Sequence, residues 1–167
     1  KKITLNKISK KEKAYALFEW IIENIQYEYP DLSNRGVMQS FPRRKGDCGE
    51  FSVIYCALCR SIGIPARPVT CLWFTGSGHQ WAEIYIENEG WVSIDPSLAK
   101  ELKTPGIILK NEKTRIDFLS KTGVNGKEYN YLFGNKATGN IILNRGINNR
   151  YISNKFSKEK IFKFMQP

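Results

Sequence analysis

His79 is the only histidine among the 167 residues, and the chemistry open to this chain turns on what surrounds it. Imidazole titrates near neutral pH and is the natural general base, but it needs a nucleophile to serve. Cys48 lies in Gly46-Asp47-Cys48-Gly49-Glu50, where a turn hands over to an apolar helical pattern. A cysteine at a helix start feels unpaired backbone donors and the positive end of the helix dipole. Both favour the thiolate, which is the nucleophilic form. Asp95 follows Trp91-Val92-Ser93-Ile94 and precedes Pro96. With a short turn near Asn88, Asp95 falls within about two register positions of His79, and diagonal neighbours lie roughly 7 to 8 Å apart. A carboxylate there would fix the imidazole tautomer and stabilise imidazolium. Each residue has an ordinary structural explanation: a buried small thiol, an incidental imidazole, a turn acid before proline. Taken in this geometric order, the three point to Cys48, His79 and Asp95 as the catalytic residues.

Those residues require a helix and a sheet to hold them. Ser9-Lys10-Lys11-Glu12 reads as a capping box, and Ala14, Leu17, Phe18, Ile21, Ile22 and Ile25 recur at helical spacing behind it. This predicts a helix over about Ser9 to Asn24, and a short one over Asn34 to Ser40. The next begins near Cys48, presents Phe51, Ile54, Leu58, Cys59 and Ile62, and stops at Gly63 before Pro65. Val69 to Phe74, His79 to Ile86 and Trp91 to Ile94 read as strands of an antiparallel meander, with turns at Thr75–Gly78 and Glu87–Gly90. Trp81 shares a strand face with His79, where it would shield the imidazole from water. Beyond Pro96, Leu98 to Arg115 reads as a long connection and Ile116 to Leu119 as a short helix or strand. Tyr129 to Phe133 and Asn140 to Leu143 read as two further strands, and Lys160 to Met165 as helix or edge strand. Helices followed by a sheet give an α+β class in one domain spanning residues 1–167, with a core over about 9–146.

Four ordered blocks carry a resemblance. They are Gly46-Asp47-Cys48-Gly49-Glu50-Phe51, Arg60-Ser61-Ile62-Gly63-Ile64-Pro65-Ala66-Arg67, Gly78-His79-Gln80-Trp81-Ala82-Glu83-Ile84-Tyr85 and Gly90-Trp91-Val92-Ser93-Ile94-Asp95-Pro96. Together they resemble the transglutaminase-like core, and Tyr131-Leu132-Phe133-Gly134 with Asn144-Arg145-Gly146 resembles a segment of many prokaryotic members. The resemblance implies a papain-like α+β fold. It also implies that the family's nucleophile, base and orienting acid map onto Cys48, His79 and Asp95. No acidic cluster resembles a calcium loop, so the calcium dependence of animal transglutaminases is not implied.

Composition bounds the partners. The formal charge is +10, from 26 Lys plus Arg against 16 Asp plus Glu, yet only Arg43-Arg44-Lys45 forms a tight cluster. Without a zinc-finger, RNP-type or Gly-rich phosphate motif, nucleic acid is not the expected partner. The cluster's place before Gly46 suggests instead a preference for acidic peptides, against the alternative that it only solvates a loop. No apolar run reaches the roughly 18 to 20 residues of a membrane helix. A removed leader or an upstream region is compatible with the chain's start. If Cys48 works as a thiol, then Cys56, Cys59 and Cys71 cannot pair completely, which favours a reducing, cytoplasmic setting. Cys56 and Cys59 have Cys-x-x-Cys spacing but fall within a helix among core residues, and zinc would need two more ligands. No metal or cofactor is expected. The anticipated activity is acyl transfer at an amide of a protein or peptide through a thioester, to water or to an amine. The alternative is a silent scaffold that retains the fold.

Overall fold

A computed structural model describes residues 2–146, with the backbone alone at Leu32 and in the short strand pair Arg150–Tyr151 and Lys160–Ile161. Lys160 to Met165, expected as helix or edge strand, falls mostly outside these residues. Helix α1, Lys10–Asn24, starts at the anticipated capping box: Ser9 Oγ accepts from the Glu12 N–H at 3.1 Å, and Glu12 Oε2 accepts from the Ser9 N–H at 2.8 Å. Its buried stripe is Ala14, Leu17, Phe18, Ile21 and Ile22. Strand β1, Gln26–Tyr27, then helix α2, Val37–Arg43, and strand β2, Lys45–Gly46, lead to helix α3, Cys48–Ser61. The two-residue β1 and β2 pair in parallel, Gln26 with Lys45 and Tyr27 with Gly46. That pairing brings Tyr27, about twenty residues upstream, alongside the start of α3.

Helix α3 ends in a left-handed turn. Gly63 has φ 79° and donates to Arg60 O at 3.1 Å, while Ile64 N–H reaches back to Cys59 O at 3.0 Å. Only glycine adopts that φ without strain, which is why the helix stops there. Strands β3, Ala66–Trp73, β4, Gly78–Ile86, and β5, Gly90–Ile94, follow as the expected meander, and β6, Asn140–Arg145, pairs with the free side of β3. The antiparallel sheet order is β5-β4-β3-β6. Ala66, Ala82, Ile84, Ile86, Val92 and Ile94 join the α1 and α3 stripes in one core. The smaller cluster of Val69, Cys71 and Trp81 packs with Ile142. This is the α+β architecture read from the sequence.

The segment after β5 departs from that reading. Leu98 to Arg115 is not one long connection: helix α4 spans Pro96–Lys103 and helix α5 spans Glu112–Lys121. Each is announced by a cap, Asp95 for α4 and Asn111 for α5, the latter accepting from Thr114 N–H at 3.0 Å. Helix α5 escapes a periodicity search because it buries only Leu119. Tyr129 to Phe133 is likewise not a strand; Tyr129–Leu132 forms a 3₁₀ turn. Its aromatic residues favour strands on propensity, but Tyr129 and Tyr131 pack against the core and Leu132 is buried. The turn still meets the sheet, since Asp95 N–H donates to Leu132 O at 3.1 Å and Ile94 bridges Phe133.

Gly46 passes so close to α3 that a Cβ placed on it would overlap Glu50 Cβ. Gly46→Ala should therefore lower stability by about 1 to 3 kcal/mol, the usual range for overpacking. The check is a urea unfolding curve, whose midpoint falls while its slope is unchanged.

Candidate active site

Cys48 is the first residue of α3, half-buried, and the polar groups beneath it fix the helix start. Asp47 is the N-cap: its Oδ1 accepts from Gly49 N–H at 2.9 Å, and Glu50 Oε2 accepts from Asp47 N–H at 3.4 Å. Asp47-x-x-Glu50 has the spacing of this second capping box, which the sequence expectations did not include. What the sequence did not reveal is Arg35. Its guanidinium bridges both acids, Nη2 to Asp47 Oδ2 at 3.0 Å and Nη1 to Glu50 Oε2 at 3.4 Å, with every side chain in the cluster almost wholly buried. Burial, and Asp47 beside it, push the Glu50 carboxyl up to about 7, against the Gly36 N–H and Arg35, which pull it down. Removing one member of such a buried ionic cluster leaves the others uncompensated, so the cluster holds the α3 start as a unit.

His79 stands near the start of β4. The β4–β5 register pairs Ala82 with Ile94, which puts Asp95 opposite Trp81, two positions from His79, as the sequence predicted. The diagonal closes: His79 Nε2 and Asp95 Oδ2 lie 2.7 Å apart. Asp95 Oδ1 meanwhile accepts from Leu98 N–H and from Ser97 Oγ–H, each at 3.0 Å, capping α4. Asp95 thus caps a helix with one oxygen and meets the imidazole with the other. Trp73 lies 5.1 Å from the imidazole and Trp81 6.3 Å, so the expected shield has two parts, the nearer one unanticipated. Burial alone would lower the imidazole's proton affinity. The Asp95 carboxylate, through charge and hydrogen bond, and then the Cys48 sulfur raise it to about 10. With Nε2 turned to Asp95, Nδ1 is the ring nitrogen left to face Cys48.

Cys48 and His79 both line a cleft of about 180 Å³. Tyr27, Trp73, Leu98 and Phe118 line it as well, with Ile108 and Leu109 from the α4–α5 loop. Burial, then the Cys48 sulfur and Asp47, raise the Tyr27 hydroxyl above its ordinary range, while the Cys48 backbone N–H acts on it in the opposite sense. Tyr27 is therefore a neutral phenol held beside Cys48. Gln26 and Gln39 are exposed and lie outside the cleft lining.

The remaining thiols sit elsewhere. Cys56 and Cys59 are buried in the main core and Cys71 in the smaller cluster. Burial pushes all three upward, Cys59 and Cys71 to about 12. The basic cluster does not line the cleft either. Arg43 and Lys45 both pair with Glu28, at 3.3 and 2.8 Å, and Arg44 lies over the Trp20 ring at 4.5 Å.

A cysteine at a helix start, facing a His–Asp pair on an antiparallel sheet, defines a fold of the transglutaminase-like and cysteine-protease kind. The chain belongs to the transglutaminase-like superfamily, whose model matches residues 1–96. It is similar to a peptide-N(4)-(N-acetyl-beta-glucosaminyl)asparagine amidase of Drosophila melanogaster, 32% identical over 94 residues. The match covers 56% of this chain and only 13% of the fly protein. Among solved structures, a candidate cysteine protease from Cytophaga hutchinsonii is 30% identical, with a TM-score of 0.46 over 51% of this chain and 30% of its own. A transglutaminase crystal structure is 20% identical, with a TM-score of 0.49 over 56% and 28%. No helix among the described residues is long and apolar enough to cross a membrane.

Because His79 is the only histidine, its ring signals in a ¹⁵N–¹H spectrum are unambiguous. The ring should remain imidazolium through about pH 8 and titrate near 10, and Asp95→Asn should move that midpoint down. The native state holds this proton more tightly than the unfolded chain, whose imidazole titrates near 6.5. The pair's stabilisation should therefore be complete below that pH and fade as the pH rises through about 10. A wild-type midpoint near 6.5 would show that the pair is not charged.

Proposed function

We propose that this chain transfers the acyl group of a protein or peptide amide through a thioester on Cys48. The observation that carries the reading is the His79 Nε2–Asp95 Oδ2 contact of 2.7 Å, with the Cys48 sulfur acting on the same imidazole. The name of the fly relative, an amidase acting on asparagine, supports amide chemistry for this kind of domain.

In this mechanism Cys48 Sγ, as thiolate, bonds to the amide carbon, and the carbonyl electrons move to oxygen. The Cys48 backbone N–H and the protonated Tyr27 hydroxyl stabilise that oxyanion. His79 gives its Nδ1 proton to the departing nitrogen, the C–N bond breaks, and the amine leaves with the thioester in place. The neutral imidazole then takes a proton from the incoming acceptor, and Cys48 departs as thiolate when the tetrahedral adduct collapses. Throughout, Asp95 holds the ring and offsets its charge. Water is the favoured acceptor. Among the described residues the cleft lining holds one carboxylate, Glu101, and three backbone N–H groups engage it, which leaves it little capacity to hold a lysine amine.

Turnover of a peptide library, with and without an added amine, tests the reaction. Cys48→Ala should abolish acyl-enzyme formation. Asp95→Asn should lower turnover by up to about 10⁴ while the fold is kept, the size of a comparable change in a serine protease. Tyr27→Phe should lower it by about 10² to 10³, as for loss of one oxyanion donor. Iodoacetamide near neutral pH should label Cys48 ahead of the three buried thiols. Prior labelling of Cys56, Cys59 or Cys71, or near-wild-type turnover in Asp95→Asn, would overturn the assignment.

A further inference from the structure

The family model matches residues 1–96, yet part of the cleft wall comes from residues beyond it. Leu98 on α4, Ile108 and Leu109 on the following loop, and Phe118 on α5 all face the cavity that holds Cys48. The loop is not left to find its own position. Glu101 is 1% exposed, and its Oε1 accepts from Gly106 N–H at 2.7 Å. Its Oε2 accepts from Ile108 N–H at 2.7 Å and from Leu109 N–H at 3.2 Å. Hydrogen bonds to a carboxylate are stronger than neutral ones, and three of them fix the two apolar side chains against the cleft. They also occupy most of the carboxylate's acceptor capacity, so Glu101 has little left for a cationic ligand. Phe118 is fixed from the other side, its ring edge-on to Trp73 at 5.1 Å, and Trp73 in turn lies against His79.

We propose that Leu98, Ile108, Leu109 and Phe118 form a specificity subsite for one uncharged apolar side chain of the substrate. That side chain belongs to the residue bearing the attacked carbonyl or to its immediate neighbour, because the same cavity contains Cys48. The inference rests on Cys48 being the nucleophile. A cavity of about 180 Å³ sets the size of the guest. An apolar cavity of roughly 150 Å³ accepts benzene, and part of this one must take the amide at Cys48, so its apolar end fits one leucine- or phenylalanine-sized side chain at most. Against Leu98, Ile108, Leu109 and Phe118 a charged side chain would lose its hydration, and Glu101 beside them is already engaged. Arg43 and Lys45 are already paired with Glu28 outside the lining, so the apolar wall, rather than the basic cluster, governs the choice.

The test uses peptidyl fluoromethyl ketones, in which the thiolate sulfur bonds to the methylene carbon and fluoride leaves. Leu, Phe, Asp or Lys is placed in turn at each of the two positions before the reactive group, and the rate of Cys48 labelling is measured. Leu or Phe at one position should label about 10- to 200-fold faster than Asp or Lys, the range a single apolar contact set provides. Leu109→Asp, at a half-exposed site, should erase that advantage and favour Lys. Glu101→Gln, at a positioning residue, should raise the concentration of the Leu probe needed for half-maximal labelling and leave the saturated rate unchanged. Equal rates for all four side chains at both positions, with iodoacetamide still labelling Cys48, would overturn the subsite alone. Failure of iodoacetamide to label Cys48 would overturn the catalytic reading and the subsite with it.

Discussion

The two oxygens of Asp95 are used for different ends, and the geometry of the cleft depends on that division. Oδ1 caps helix α4 through Leu98 N–H and Ser97 Oγ, while Oδ2 meets His79 Nε2. The backbone N–H of the same residue is held by Leu132 O. A carboxylate anchored at three points cannot rotate away from the imidazole, so the ring's orientation is inherited from a helix cap and a sheet edge. Pro96 at the first helical position reinforces this, since its fixed φ suits a helix start and its missing N–H needs no partner. The arrangement couples folding to proton affinity: the interactions that begin α4 also keep a negative charge beside His79.

The other half of the site has the same logic with a different device. Cys48 is placed by a helix start whose caps are themselves buried ions, Asp47 and Glu50, joined by Arg35. Gly46 must be glycine for Glu50 to lie where it does, and Gly46 is also the strand partner of Tyr27. One close backbone approach therefore sets the position of the thiol, of the capping acid and of the neighbouring phenol. Helix α3 is tied to the sheet beside His79 by Ser52 Oγ donating to Gln80 Oε1 at 2.6 Å. Cys48 and His79 are thus mounted on elements locked to each other by a buried polar contact, which limits drift in their separation.

Beyond the family core, α4, its following loop and α5 supply much of the apolar lining around this machinery. Glu101 plays there the part that Asp47 plays at α3, a buried carboxylate satisfied by backbone donors. The chain carries a formal charge of +10, yet the cleft itself is walled largely by aromatic and aliphatic groups.

Much of this was written locally. Capping residues, periodic apolar stripes and the Gly63 stop specify α1 and α3 because their signals lie within a few residues of the structure they produce. The meander is legible for the same reason, and its short turns set a register that brings Asp95 to His79. Helix α4 was hidden because eight residues are too few for a repeating stripe, and α5 because it buries only Leu119, although their Asp and Asn caps were present. Tyr129–Leu132 was misread because packing against the core overrode strand propensity. Arg35, Tyr27 as a neighbour of Cys48, Trp73 as the nearer shield and Glu101 as the loop's anchor were decided only by tertiary structure. Tyr27 and Arg35 act on residues well separated in sequence, through a parallel strand pair and a buried ionic cluster; Trp73 and Glu101 act within a hairpin and a loop whose close approach no periodicity or cap announces. Residue type and spacing determined which groups could do chemistry; the packing of distant segments decided what surrounds them.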